Sequence, residues 1–284
     1  MQRIKDIAMG LSRLAVARWR IELPEWAGRA PLSIAAVGDP HIGGVWMGAR
    51  ELARIADRAR ELKPDMLVLL GDYVADSRMV RRQHDADTIA DLLRPFAKDP
   101  PPLGVWSILG NHDWKEHPRL PDGRPPMWPA LEQIGIPVLE NRAVRLDHGG
   151  PFWLVGLGSQ RARKHDPGPE MGSDDLPGAL DGTEDGAPRL LLAHEPDIFP
   201  DIEHDIPFML SGHTHGGQIR PFGRPIWMPS RHGTRYAYGR FDAEGPAGQR
   251  TMIVSGGVGC SGIPLRWRMD PEITLVRIEG PSAA

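Results

Sequence analysis

Five times between residues 32 and 213, a short apolar run gives way across glycine or alanine to aspartate, asparagine or histidine. "LSIAAVGDPH" delivers Asp39 and His41, "MLVLLGD" delivers Asp72, and "VWSILGNHD" delivers Asn111, His112 and Asp113. "RLLLAH" ends at His194, and "FMLSGHTH" at His213 and His215. Short apolar runs bounded by turn formers read as buried strands. Ligands of open α/β sheets gather beyond the carboxyl ends of strands, so this repetition constrains fold and chemistry together. One such residue after a strand is ordinarily structural or a turn former. Five strand ends in one chain argue for a shared site.

The segments between these runs fit the same scheme. "ARELARIADRARELK" (49–63) carries a helical stripe of Leu52, Ile55, Ala56, Ala59 and Leu62, and residues 84–97 also read as helix. Alternating strand and helix predicts a parallel sheet with right-handed crossovers. Further on, "RAVRLDHGGPFWLVGLG" (142–158) reads as two strands around a Gly-Gly turn, and "RTMIVSG" and "EITLVRI" read as closing strands. Residues 160–188 form a loop rich in Gly, Pro, Asp and Arg, with one helical turn near "DDLPGAL". The expectation is one α/β domain over residues 31–280, preceded by a distinct segment, 1–30.

That segment places Ile4, Ile7, Ala8, Leu11, Leu14 and Ala15 on one helical face, with Arg3, Lys5, Arg13, Arg18 and Arg20 around them. A basic amphipathic helix over residues 1–20 would make peripheral contact with an anionic membrane, or lie on the domain with its charges in water. No apolar run is long enough to span a bilayer, and the first residues lack a secretory apolar stretch. The expected location is cytoplasmic or peripheral on the inner membrane.

A formal net charge of -3 argues against a general nucleic-acid binder, and the single Cys260 excludes an intramolecular disulfide or Cys-rich zinc site. Imidazole, carboxylate and amide oxygen suit Mn, Fe or Zn. Asp39, His41, Asp72, Asn111, His194, His213 and His215 are too many ligands for one ion with an open position. They suit two divalent ions sharing Asp72. On an extended backbone His213 and His215 leave the same face, and the following "GG" leaves room for metals and substrate. No G-x-S-x-G or P-loop offers a competing chemistry.

The ordered set "DPH … GDY … GNHD … H … GHTH" resembles the calcineurin-like metallophosphoesterase superfamily. The resemblance implies a two-layer β-sandwich flanked by helices with a dinuclear centre at one edge. Asp39, His41, Asp72 and His215 would hold one ion, and Asp72, Asn111, His194 and His213 the other. His112 would sit over the substrate phosphate and assist the leaving oxygen, with Asp113 fixing its ring or, alternatively, capping a helix before Trp114. A hydroxide bridging ions about 3.5–4 Å apart would attack phosphorus in line.

"HTHGGQIRPFG", "RYAYGRF" and "VSGGVGCSGIPLRWRMDPEITLVRI" are similar to one bacterial branch of membrane- or wall-associated phosphodiesterases. Some of its members are linked to pyrophosphate cleavage in UDP-diacylglucosamine during lipid A synthesis. The implied substrate is a phosphodiester or pyrophosphate, as a small molecule or lipid-linked. Alternatives are a phosphomonoesterase or cyclic-nucleotide phosphodiesterase using the same site, or a non-catalytic scaffold. Trp46, Trp114 and Trp227 could wall an acyl or aryl group, with core packing the alternative. Arg224, Arg235 and Arg266 are candidates for gripping phosphate.

Overall fold

In the computed structural model, which describes residues 14–281 apart from 44–46, 77–79, 81–82, 163–171, 227 and 247, the apolar runs assemble into two sheets. The first is built from β1 (Ala15–Glu22), β2 (Leu32–Val37), β3 (Met66–Leu69), β4 (Val105–Ser107) and β11 (Glu272–Glu279), in the order β1-β11-β2-β3-β4. The second contains β5 (Arg142–Asp147), β6 (Pro151–Gly156), β7 (Arg189–Leu192), β8 (Phe208–Ser211), β9 (Gly239–Gly245) and β10 (Gly248–Val254), in the order β5-β6-β7-β8-β10-β9. β2, β3 and β4 run parallel, as do β6, β7, β8 and β10. Antiparallel β5 and β9 close the outer edges of the second sheet.

Strands buried on both faces explain why the runs are continuously apolar rather than alternating. Ile34, Ala36, Met66 and Val68 of the first sheet meet Leu154, Leu190, Leu192, Phe208 and Leu210 of the second. Their alternate neighbours Ala35, Val37, Leu67 and Leu69 turn outward onto helices α1 (Ala49–Glu61) and α2 (Ala86–Ala97). The predicted stripe of α1 is its buried face: Leu52, Ile55, Ala56 and Ala59. On the other side Val155, Leu191 and Met209 pack with α5 (Leu176–Leu180) and a 3-10 turn at Pro196–Asp201. Two shorter helices, α3 (Asn111–Lys115) and α4 (Met127–Gln133), lie between β4 and β5. The expected α/β sandwich flanked by helices is the fold observed.

The helix expected near the start is corrected where the structure describes it. Residues 1–13 lie outside the described residues, but Ala15–Glu22 is a strand in parallel register with β11. Arg18, Arg20 and Glu22 are exposed, whereas Trp19 and Ile21 turn inward, so a period of two prevails over the helical spacing. Trp26 follows, fully buried against Phe152. Among the described residues no helix is long and apolar enough to cross a membrane.

The ends of β3 and β4 come very close where the chain turns toward the polar residues. Gly71 has φ +88°, and a Cβ there would lie 2.8 Å from the Leu109 carbonyl carbon and 2.9 Å from Gly110 Cα. Its carbonyl accepts the Asp39 N–H at 3.0 Å. Gly71→Ala is expected to lower stability by about 1–3 kcal/mol, read as a reduced urea midpoint. A midpoint equal to wild type would show that this crossing is not so tight.

Candidate metal centre

The polar residues collect where the carboxyl ends of the two sheets meet. Asp39 follows β2, Asp72 follows β3 and Asn111 opens α3 after β4; His194 follows β7, and His213 and His215 follow β8. All are buried, His41 included. Asp39, His41, Asp72, His213 and His215 have φ between 45° and 71°, a left-handed conformation uncommon for residues with a Cβ. Backbone bonds secure them: His41 N–H donates to the Asp72 carbonyl at 3.0 Å, and His213 N–H donates to Asp39 Oδ1 at 2.8 Å. The second of these joins one sheet to the other.

Each imidazole is oriented by a backbone carbonyl. His41 Nδ1–H donates to Val74 O at 3.1 Å, His194 Nδ1–H to Leu70 O at 2.6 Å, and His213 Nε2–H to Pro229 O at 3.1 Å. Their remaining nitrogens, His41 Nε2, His194 Nε2 and His213 Nδ1, point into the cluster. His194 Nε2 stands 3.3 Å from His213 Nδ1, and His41 Nε2 stands 3.1 Å from His215 Nε2. At these distances the two nitrogens of each pair share a proton, a place that a cation can take. His213 and His215 do not share a face as an extended strand would require. Their turns send one ring toward His194 and the other toward His41, with ring centroids 5.1 Å and 5.0 Å apart.

Asp72 lies between these two groups. Its Oδ2 is 3.2 Å from His194 Nε2 and 3.7 Å from His41 Nε2, while Oδ1 accepts the His112 N–H at 2.8 Å. Ligand atoms within 4.8 Å of one another occur in three sets: Asp39 with His41 and His215; Asp72 with His194 and His213; and Asp72 with His41 and His112. Asn111 Oδ1 and Asp39 Oδ2 are buried with no hydrogen-bond partner among the described residues. Orphaned oxygens together with inward-facing ring nitrogens are the surroundings a divalent cation requires.

Titration in this cluster follows burial and mutual charge. Burial pushes the Asp39 carboxyl up to about 7. It drives His41 down to about 3 and holds His213 and His215 well below the ordinary imidazole range. Burial opposes charge on His194 most strongly, yet the Asp72 carboxylate, which is also its hydrogen-bond partner, together with Glu195 and Asp39 raises that imidazole well above its usual value. Burial and mutual charge therefore favour a proton on His194 and, near neutral pH, on part of the Asp39 population.

Asp113 does not fix the His112 ring. Its carboxylate accepts backbone N–H groups from Asp72, Tyr73, Val74 and Gly110 at 2.8–3.1 Å, binding the ends of β3 and β4 together. Nor is it the cap of α3: that position is Gly110, with Asp113 three residues into the helix. The ring is held by Glu116, whose Oε1 lies 3.0 Å from His112 Nδ1. Sequence reasoning missed Glu116, although its spacing four residues after His112 in a short helix was the available signal.

Several flanking expectations also change. Trp114 is a buried member of the outer core under Arg119, while Trp46 and Trp227 lie outside the described residues. Arg266 is buried, donating to Gly259 O at 2.7 Å and reaching His215 Nδ1 at 3.2 Å, so it braces a loop. Arg235 lies over the Tyr236 ring, and Arg224 is exposed. The glycines after His215 make room for neighbouring loops: a Cβ at Gly216 would meet Met269, and one at Gly217 would meet Pro225.

Asp113→Ala would strand four buried donors at once. It is expected to cost on the order of 3 kcal/mol or more in chemical denaturation, with Asp113→Asn intermediate. A loss below about 1 kcal/mol would place the strap elsewhere.

Comparison with known proteins agrees with this geometry. The family model described as calcineurin-like phosphoesterase matches residues 32–217, from β2 through the His215 turn. An uncharacterized metallophosphoesterase of Aquifex aeolicus is 29% identical over 273 residues, covering 94% of this chain and 92% of that protein. The phosphodiesterase YaeI of Escherichia coli is 32% identical over 222 residues, 77% of this chain and 72% of its own length. A Helicobacter pylori metallophosphoesterase is 27% identical over 87% of this chain, which spans 60% of that protein. With its family model matched over most of the chain and its strand ends gathered in one site, the protein belongs to the calcineurin-like phosphoesterases.

Proposed function

We propose that the protein hydrolyses phosphodiester or pyrophosphate bonds with two divalent metal ions held at the convergence of the two sheets. The facing ring nitrogens of His41 with His215 and of His194 with His213, on either side of Asp72, carry this reading. One ion would take Asp39, His41, Asp72 and His215, and the other Asp72, Asn111, His194 and His213. When bound, such ions supply Lewis-acid charge for a phosphoryl group and a water acidified toward neutral pH. The donor set suits Mn, Fe and Zn.

The residues of the chain perform the remaining work. Backbone carbonyls fix the tautomers of His41, His194 and His213, so their free nitrogens already face inward. Asp113 holds the β3 and β4 ends at one separation. Glu116 engages His112 Nδ1, leaving Nε2 to hold a proton toward the leaving oxygen of a bound ester. A phosphodiester is favoured by the similarity to the phosphodiesterase YaeI of Escherichia coli. A lipid-linked pyrophosphate is the more specific form suggested by the similarity of the later motifs, and the first residues, 1–13, would then provide peripheral membrane contact.

Metal uptake tests the site directly. Asp39 and His194 must each give up a proton to a cation, so affinity is expected to fall as pH drops through 7, roughly tenfold per unit for each proton displaced. Calorimetric titration with Mn or Zn in buffers of different ionisation heat would measure those protons. Asp72→Ala should lose bound metal and activity together. A pH-independent affinity, or full activity in that variant, would defeat the two-ion assignment.

His112→Ala is expected to keep its metal while turnover of a phosphodiester slows by about 10²–10⁴-fold. Glu116→Gln should cost about tenfold and move the alkaline limb of the pH–rate profile to lower pH, since it removes a negative charge beside the imidazole that holds the proton. An unshifted profile in Glu116→Gln would remove its orienting role.

A further inference from the structure

Among the described residues, the large apolar side chains most exposed to solvent lie on two joined loops next to the metal centre. Phe222 is 91% exposed, Ile226 71%, Ile263 54% and Trp267 42%. They lie on two loops, residues 218–226 and 259–268, that are hydrogen-bonded into one unit. Trp267 N–H donates to Gln218 O at 2.9 Å, and Arg220 N–H returns to Trp267 O at 3.0 Å. Gln218 Nε2 donates to Ile263 O at 2.7 Å, while its Oε1 accepts the Ser261 N–H at 2.9 Å. Arg268 Nη1 reaches the Pro221 carbonyl at 3.2 Å.

This unit is rooted in the site. Gln218 lies three residues after His215, and Arg266 of the second loop contacts His215 Nδ1. Internal bonding explains how the loops keep apolar side chains out in water. Pro221, Pro225 and Pro264 further restrict the backbone. The exposure belongs to a braced surface, and none of the four side chains has collapsed into the core.

Charge on the unit has one dominant sign. Arg224 and Arg268 are exposed among the apolar residues, and Arg220 lies beside them over the Tyr238 ring. Asp270 is the one carboxylate within residues 218–226 and 259–270. A second copy of the chain fits this surface poorly, because a two-fold contact would set each copy's arginines near those of the other. An interface that is apolar at its centre and anionic around it satisfies both features.

We infer that the Phe222, Ile226, Ile263 and Trp267 rim, with Arg224 and Arg268, docks onto the surface of an anionic lipid bilayer. Phe and Ile enter the boundary between headgroups and acyl chains, Trp settles at headgroup level, and the arginines meet lipid phosphates. The metal centre then opens at the level of the headgroups. This deepens the phosphoesterase reading, on which the substrate class rests: phosphate esters presented at a membrane surface. Docking itself requires neither metal nor turnover.

Flotation of the full chain with phosphatidylglycerol–phosphatidylcholine vesicles, against phosphatidylcholine alone, tests this without any hydrolysis. The wild type is expected to float with the anionic vesicles and to be released by salt. F222S/I226S/I263S alters exposed side chains only. It should weaken capture by on the order of tenfold or more while hydrolysing a soluble phosphodiester at the wild-type rate. Arg224→Glu should weaken capture by roughly fivefold or more. Capture of the triple variant equal to wild type would overturn the proposal, by assigning any membrane contact to another segment. Absence of wild-type capture would overturn it too, as would a dimer in solution that the triple variant abolishes. Failure of the phosphoesterase reading would show separately, as absent metal-dependent hydrolysis with flotation intact.

Discussion

The bond from His194 Nδ1 to the Leu70 carbonyl, 2.6 Å long and fully buried, links a side chain of one sheet to the backbone of the other. Two sheets packed through Leu190, Leu192, Phe208, Ile34 and Val68 could slide by a residue with little change in apolar contact. A directional bond at the sandwich edge removes that freedom, because a shifted register would leave a buried carbonyl and a ring N–H unpaired. His213 N–H to Asp39 Oδ1 adds a second constraint of the same kind. Apolar burial brings the sheets together; these polar bonds decide how they align.

The site concentrates conformations that a chain avoids elsewhere. Five of its side chains have left-handed backbones, which favour glycine, and their imidazoles and carboxylates sit at short range away from water. Each departure is unfavourable alone and is retained because neighbours over-determine it: the ladder bonds at Asp39 and His41, the carbonyl partners of the rings, and the Asp113 strap. A bound cation would take the place of the protons held by Asp39 and His194 and shared between the facing ring nitrogens. The same arrangement that strains the cluster thus prepares it for a ligand.

Much of this was legible in the sequence because the strands that deliver the site are buried on both faces and so appear as unbroken apolar runs. The residues at their ends could be read in order, and the structure places all seven predicted ligands within one buried region. What sequence spacing missed was conformational. The His213–Thr214–His215 stretch looked extended, but left-handed turns part its rings. Asp113 beside His112 looked like its orienting carboxylate, but α3 carries that side chain back onto the backbone and brings Glu116 around instead. The strand Ala15–Glu22 was hidden because alanine, valine and arginine satisfy both periodicities, and only pairing with β11 decides between them. β9, with its alternating polar residues, gave a pattern too weak to stand out from a surface loop.

The position of β11 has a consequence for how the protein is made. This strand, the last in the chain, lies inside the first sheet, flanked by β1 on one side and β2 on the other. Just before it, Val258 and Gly259 donate to the Gly38 and Asp39 carbonyls, so the same late segment closes the turn that aims the first carboxylate. As residues emerge in order from the ribosome, β2, β3 and β4 can pair early, but β1 has no neighbour until some 250 residues later. Closure of the first sheet and of the Asp39 turn therefore waits for this late segment, and shorter translation products carry the motifs without the strand that joins β1 to β2.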